Sequence, residues 1–295
     1  MAAFKRYESI LGTTWAYQVF RAHHTELNDL YWSHAAAVAL ARTRVRSEPD
    51  EQQTLLIFGS LGADSHRVPT DVARWKTAFT AFTNWVRLNA VMALSAYLET
   101  YLKTVISLAL QSDPGLLIGD STIVDGVKLL KRGALESHAD LITKCIKGTW
   151  QQRTAGYEKL FGTLPHEIKT SAKELEAMRK CRNAVGHLFG RDLEAWDPDD
   201  NLATFPKMLP LSQERLQKWM ATTAIVAQAV ESHLGPSHIG SFELLNFYHR
   251  NKSHTKGYVR TSKGLQPLLK VLGSVFKTGI GKKYGQDLVS FYHNQ

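Results

Sequence analysis

The sequence predicts a mainly α-helical protein, with an antiparallel helical bundle over residues 70–234, a helical N-terminal extension over 1–69 and a small basic appendage over 235–295. Two observations support this division. Long stretches without Pro or Gly carry apolar residues at helical spacing, and short segments rich in Pro, Gly and Asp separate them. After Gly235 the chain becomes basic and aromatic, which favours a mainly helical element over a disordered arm.

The N-terminal extension is expected to be one long helix followed by irregular chain. Thr14–Val45 is rich in Ala, Leu and aromatic residues, and Ser47–Asp50 ends it. Leu55–Phe58 is a short apolar run that permits a strand, and Gly59–Ser65 is typical of a loop.

The bundle is expected to begin with a helix that Thr70 opens, with Asp71 in its first turn. This helix continues to about Gln111, and shorter helices follow near Ser121–Lys131 and Ser137–Ile146. They alternate with turn residues, as in a bundle with short connections.

The second half of the bundle is expected to contain two longer helices. Gly186 is expected to end the first of them, Glu167–Val185. The polar segment Asp192–Pro206 is loop-like, and Ser212 is a plausible N-cap for a helix that runs to about His233.

Composition excludes several classes of protein. Hydrophobic residues make up 44% of the 295 residues, no run of 18 apolar residues exists, and the N-terminus lacks a secretory apolar core. The two cysteines, Cys145 and Cys181, favour a reducing cytoplasm over a disulfide framework. The chain has no His-x3-His, Cys-x2-Cys or His-Glu-x-x-His pattern and no dinucleotide or Walker glycine pattern, so we expect neither a metal site nor a cofactor.

The net charge of +9 is unevenly placed along the chain. Residues 235–295 hold nine Lys and Arg against two Asp and Glu, a net of +7, which leaves +2 for the first 234 residues. A basic end on a nearly neutral body indicates an anionic partner such as nucleic acid, although a solvated surface gives the same count.

One polar helical segment, Glu176–His187, offers the most complete set of reactive groups. Arg182 is followed directly by Asn183 and, five residues later, by His187. Histidine transfers protons near neutrality, and arginine holds a phosphate through two parallel hydrogen bonds. Asn183 shares a helix face with His187 and can position its ring. Arg182 lies roughly 140° away from His187 on a continuous helix, so we expect Gly186 to end the helix and redirect His187.

A purely structural role is the alternative for this segment. Arg182 is then a surface ion-pair partner of Glu174 or Glu176, and His187 caps the last carbonyls of the helix. The residue pattern alone leaves both interpretations open.

The segment Arg182–His187 resembles the Arg-x4-6-His signature of HEPN domains, in which a polar residue usually follows the arginine. Leu88–Leu102 looks like the first long HEPN helix, and Tyr157–Gly162 is similar to the segment that often precedes the motif helix. The resemblance covers roughly residues 70–234. It implies a HEPN-like bundle and metal-independent endoribonuclease cleavage that leaves a 2′,3′-cyclic phosphate and a 5′-hydroxyl.

The resemblance also implies that two protomers form a homodimer around one cleft, with Arg182 as phosphate clamp, His187 as acid and base, and Asn183 as the positioning residue. It suggests a prokaryotic toxin or antiphage effector, with an antitoxin or defence-system protein as a possible partner. Phe189 stands where some HEPN toxins have a tyrosine that a partner modifies, which puts that control in doubt. The alternative function is a non-catalytic HEPN-like scaffold that binds RNA or protein.

Further residues are candidates for supporting roles. Glu99 is placed to hold Arg182, Arg179 is one turn before it, and Arg191 closely follows the motif, although each is equally an ordinary exposed side chain.

The tail offers a second candidate surface for RNA. Arg250, Lys252 and Lys256 alternate with aromatic rings between Phe242 and Tyr258. That pattern suits a single RNA strand, whose bases stack on rings and whose phosphates meet cations. A packed helix with a solvated basic face is the alternative.

Overall fold

The computed structural model describes residues 4–188, 208–251, 269–270, 273–274 and 279–295. Helices account for 77% of the structure, and its described residues form no strand. The prediction of a mainly α-helical protein is therefore confirmed.

The α-helices of the described residues differ widely in length, and the two longest lie in the first half of the chain. In chain order they are α1 (Trp15–Val45), α2 (Thr54–Phe58), α3 (Val72–Ser112), α4 (Gly126–Arg132), α5 (Ala139–Ile146), α6 (Trp150–Phe161), α7 (His166–Leu188), α8 (Gln213–Leu234), α9 (Phe242–Asn251) and α10 (Lys282–Asn294). Short 3-10 helices cover Gly62–Arg67 and Pro114–Ile118, and a π turn follows α8 at Gly235–Ile239.

Capping side chains explain where two long helices begin. The Ser212 hydroxyl accepts a hydrogen bond from the Arg215 amide at 3.1 Å, as its predicted N-cap role requires. Before α3, the Asp71 carboxylate accepts from the Arg74 amide at 2.8 Å, so Asp71 caps that helix instead of Thr70. Both residues are good caps, and only the backbone geometry distinguishes them.

The possible strand at Leu55–Phe58 is wrong, because this run lies in the short helix α2. The Gly59 amide closes the helical turn onto the Leu55 carbonyl at 2.9 Å. A run of four apolar residues is too short for periodicity to separate a strand from one helical turn.

The chain divides into two compact units. The first comprises Met1–Arg21, Leu98–Lys173 and Ala224–Gln295, and the second comprises Ala22–Tyr97 and Glu174–Thr223. The limits of the three predicted segments, at 69/70 and 234/235, coincide with no limit of either unit. Helices α1, α3, α7 and α8 each contribute residues to both units.

The N-terminal segment of the first unit is held by the buried Arg6 side chain. Its guanidinium donates to Asp125 at 3.0 and 3.1 Å, to the Ile239 carbonyl at 2.8 Å, and to the Ser112 carbonyl and hydroxyl at 3.1 and 2.8 Å. The planar fork of arginine suits this set of acceptors, because its donors point in fixed directions. Arg6 therefore joins residues from three distant parts of the sequence.

Two glutamates accept hydrogen bonds from backbone amides at the start of α1. Glu231 accepts hydrogen bonds from the Thr14 amide, from the Thr14 hydroxyl at 2.9 Å and from the Tyr101 hydroxyl at 3.1 Å. Glu243 accepts from the Trp15 amide at 2.9 Å. Carboxylates are favourable at this end because the unpaired amides carry partial positive charge.

The pKa values of these glutamates make the stability of the protein depend on pH. Burial raises the pKa of Glu243 to about 7, and burial also raises the pKa of Glu231. At these two groups the folded state therefore binds protons that the unfolded state releases, so we expect their contribution to the free energy of unfolding to rise as pH falls from about 8 to about 6.

Chemical denaturation of wild type and Glu243→Gln across that range measures this effect. The variant should lack the contribution of Glu243, so its free energy of unfolding should rise less as pH falls. Burial lowers the pKa of His34 and of His233, which makes the free energy of unfolding fall as pH falls. This contribution is the same in both proteins and cancels in the comparison. Equal pH dependence of the two proteins would refute this assignment.

In the second unit, the segment before α8 is tied to α3. The Asn84 amide donates to the Leu209 carbonyl at 2.8 Å and accepts from the Leu211 amide at 2.9 Å. Glu174 in α7 accepts from Lys218 at 2.7 Å and from the Trp219 indole at 3.2 Å, which joins α7 to α8. These bonds hold the helices on which the candidate site lies.

Candidate functional site

The predicted motif lies on the last turns of α7, in the second unit. Leu175 and Met178 are buried on this helix, Arg182 and Asn183 are half-buried, and His187 is exposed. The helix therefore leaves the core as it ends. Of the three motif side chains, His187 is therefore the most accessible to solvent.

Arg182 and Asn183 are joined directly. The Arg182 Nη1 group donates to the Asn183 Oδ1 atom at 3.1 Å. This bond orients the asparagine amide beside the guanidinium. Positioning of the His187 ring by Asn183 stays a prediction, because no hydrogen bond between these two residues is recorded.

The expectation that Gly186 ends the helix is wrong, because α7 includes Gly186 and His187 and extends to Leu188. The continuous helix keeps Arg182 and His187 roughly 140° apart around its axis. The two side chains therefore do not converge within one chain. An isolated glycine does not stop a helix when its neighbours favour helix and no left-handed residue follows.

Gly186 also supports a stability prediction. A Cβ atom at this position would lie 3.5 Å from Met92 Cε, which is an ordinary contact. Since alanine is a better helix former, Gly186→Ala should raise the free energy of unfolding by about 0.5–1 kcal/mol. Urea denaturation of both proteins measures the difference, and a clear loss of stability would show that position 186 needs a non-helical backbone.

Arg179, a predicted supporting residue, is engaged by its own helix. Its guanidinium donates to both oxygens of Glu176, at 2.6 and 3.0 Å, and this contact raises the pKa of Arg179. A phosphate at Arg179 has to compete with this half-buried carboxylate. Its supporting role stays a prediction.

Glu99, predicted to hold Arg182, accepts a hydrogen bond from the buried Arg153 at 3.1 Å in the first unit. Arg153 also donates to the Gly148 carbonyl at 3.1 Å and lies over the Trp150 ring. The sequence pattern of α6 does not predict this arginine, because it carries few signals that separate a buried arginine from an exposed one. The contact of Glu99 with Arg182 stays a prediction.

Of the predicted RNA-binding residues, Arg250 lies within the described residues. Arg250 is exposed at the end of α9, where it donates to Asn246 at 3.1 Å. Arg191, Lys252 and Lys256 lie outside the described residues.

Two aromatic rings of α9 are buried. Phe242 and Tyr248 are 0% and 1% exposed, so bases cannot stack on them. Arg250 is exposed on the same helix, and residues 252–258 of this segment lie outside the described residues. The RNA-binding role of the tail stays a prediction.

A polar cluster that the sequence did not suggest lies in the first unit. His238 Nδ1 is 2.9 Å from the fully buried Asp113 carboxylate, and the Ser121 hydroxyl donates to the same carboxylate at 2.5 Å. Ser121 Oγ is 3.4 Å from the same ring nitrogen, Nδ1. A hydrolase triad places serine and aspartate on opposite nitrogens, so this cluster is not arranged for nucleophilic catalysis.

Two cavities, of about 700 and 610 Å³, are also found in the first unit, and neither is lined by a motif residue. Among the described residues there is no cluster of metal-binding side chains and no helix of the length and apolarity needed to span a membrane. Comparison with known protein families, curated proteins and solved structures finds no match to this chain.

Proposed function

We propose that this protein is a metal-independent endoribonuclease of the HEPN type that acts as a homodimer. The observation that carries the proposal is the pairing of Arg182 with Asn183 one turn before an exposed histidine, His187, on an accessible helix end. An imidazole can transfer the protons of RNA transesterification, and an arginine can stabilise the charge that develops on the phosphate.

The reaction divides between the two ionisable side chains. His187 removes the proton from a ribose 2′-hydroxyl, whose oxygen attacks the adjacent phosphorus. The bond from phosphorus to the 5′-oxygen then breaks. That oxygen takes a proton from the imidazolium that His187 formed in the first step. The products are a 2′,3′-cyclic phosphate and a 5′-hydroxyl. Arg182 holds the non-bridging oxygens and stabilises the charge that grows on them in the transition state.

The angle between the two side chains explains why a second copy is required. Arg182 and His187 lie roughly 140° apart on α7, so one chain presents only one of them to a given phosphate. A twofold axis places the same helix end against itself, and the histidine of one copy then meets the arginine of the other. The site is therefore composite in this proposal.

The biological role follows the resemblance. We infer that the protein is a toxin or antiphage effector that cleaves cellular RNA, with a partner protein to restrain it. Induced expression in a bacterial host tests this role: wild type should arrest growth, and His187→Ala should not.

Cleavage of total cellular RNA by the purified protein in EDTA tests the activity itself. We expect fragments with cyclic-phosphate and 5′-hydroxyl ends, detected by end-group labelling. Strict dependence on a divalent cation would overturn the mechanism. Tight RNA binding without cleavage would favour the non-catalytic scaffold.

A further inference from the structure

A row of aromatic rings begins at the end of α2 and continues along α3 in the second unit. Phe58, Trp75, Phe79, Phe82 and Trp85 follow one another with centroid separations of 4.8, 4.3, 6.3 and 6.1 Å. The Trp75–Phe79 and Phe82–Trp85 pairs are both within 19° of parallel. The rings thus form a row instead of a buried cluster.

The far end of this row is open to solvent. Phe82 is 46% exposed and Trp85 is 50% exposed, whereas rings of this size are usually mostly covered. Arg74, Ala78 and Ala81 are also exposed, and together with Trp85 they follow the i, i+4, i+7, i+11 spacing of one helix face. This face of α3, from Arg74 to Trp85, is called the ring face below.

Basic residues outnumber acidic ones on the helices that carry the ring face. Residues 22–46 and 72–97, which hold α1 and α3 in this unit, contain six Lys and Arg against Glu26 and Asp29, and Asp71 caps α3 beside Arg74. Lys76 pairs with Asp50 at 2.8 Å, and the Arg87 guanidinium donates to the Leu211 carbonyl at 2.5 Å. The remaining four cations are exposed arginines, namely Arg42, Arg44, Arg46 and Arg74.

The ring face leads to the motif. Trp85 and Met92 are seven residues apart, so they lie on the same side of α3, roughly 10 Å apart along its axis. A Cβ atom on Gly186 would touch Met92, so the last turn of α7 lies against this line of α3. The last turn of α7 therefore lies against the same side of α3 that carries Trp85.

We propose that the ring face binds single-stranded RNA, with bases on Phe82 and Trp85 and phosphates on the exposed arginines, and delivers the strand to the motif on α7. The choice of RNA rests on the proposed function. Aromatic rings beside exposed cations are the arrangement that single strands require. A second copy of this chain is a poor occupant, since it would bring the same cations against each other across the twofold axis.

Binding of a fluorescein-labelled oligouridylate to the full-length His187→Ala protein, followed by anisotropy, tests the proposal without cleavage. Loss of both exposed rings, in Phe82→Ala/Trp85→Ala, should weaken binding by about 25-fold or more, the product of at least about 5-fold for each stacked base. Phe82→Leu/Trp85→Leu keeps the surface apolar but removes stacking, so it should weaken RNA binding by a similar factor. Trp15→Ala, which removes a 40% exposed ring of the first unit, is the matched control and should bind as the parent does.

Salt dependence tests the electrostatic half of the proposal. Arg74→Gln should reduce the slope of log Kd against log salt concentration by about 0.7, the contribution of one phosphate contact on a single strand. Circular dichroism and sedimentation of each variant distinguish lost binding from lost folding or association. Unchanged affinity of the ring variants would overturn the proposal, and so would a dimer that dissociates when the rings are removed.

The two proposals fail separately. Ring-dependent binding by a protein that never cleaves RNA would keep the ring face and reject the nuclease. RNA cleavage that depends on His187, together with RNA affinity that is unchanged in the ring variants, would support the nuclease and reject RNA binding at the ring face.

Discussion

His187→Ala is expected to lower RNA cleavage by about 10²–10⁴-fold, the range that a general acid–base group contributes. Arg182→Ala is expected to cost about 10²–10³-fold, because it removes a fixed cation from the position where charge develops. The initial rate of cleavage of a defined RNA measures both effects. Lys180→Ala, which removes an exposed cation of the same helix, is the matched control and should retain wild-type activity.

The composite site makes a sharper prediction for mixtures of the two inactive variants. If the arginine of one copy works with the histidine of the other, a heterodimer of Arg182→Ala and His187→Ala regains one intact site. Equal mixing should then restore about a quarter of wild-type activity, since half of the dimers are mixed and each has one working site in two. No restoration after verified subunit exchange would show that each site is built within one chain.

Arg6→Met is expected to lower the free energy of unfolding by about 3–5 kcal/mol, the cost of leaving one partner of a buried ion pair uncompensated. The Arg6 side chain is 8% exposed and Asp125 is 15% exposed. The substitution leaves Asp125 without its cation and also removes the donors to the Ser112 and Ile239 carbonyls. Urea denaturation of the full chain measures the change.

Two comparisons isolate the charge effect. Arg6→Met/Asp125→Asn should recover part of the loss, because the amide removes the uncompensated charge and keeps an acceptor for the Val127 amide. Lys5→Ala breaks a neighbouring pair whose side chains are 65% and 67% exposed, and it should cost only about 0–1 kcal/mol. Equal losses for Lys5→Ala and Arg6→Met would contradict a special role for the buried arginine.

Local signals predicted the helices well, because caps and apolar spacing act within one or two turns. Ser212 caps α8 as expected, and α1 ends at Val45 as expected. The errors also lie where local signals compete. Leu55–Phe58 suits a strand and a helical turn equally, and Gly186 is a common helix end that also fits inside a helix.

The candidate site was predicted only in part. The sequence shows that Arg182, Asn183 and His187 are close along the chain, but their directions depend on whether the helix continues past Gly186. The row of rings on α3 was not predicted. Its spacing is also that of a helix face buried in a core, so exposure could not be judged before neighbouring helices were placed.

The sequence by itself therefore determined the helical class of this protein, the limits of α1, α3 and α8 to within two residues, and the candidate residues of the motif. The tertiary structure alone decided which charges are buried, which rings are exposed and that the motif helix is continuous. Arg6 and Asp125 lie 119 positions apart, and no local pattern encodes such a pair. Burial and pairing depend on which distant segments fold against each other, and that is why these properties became visible only in the folded chain.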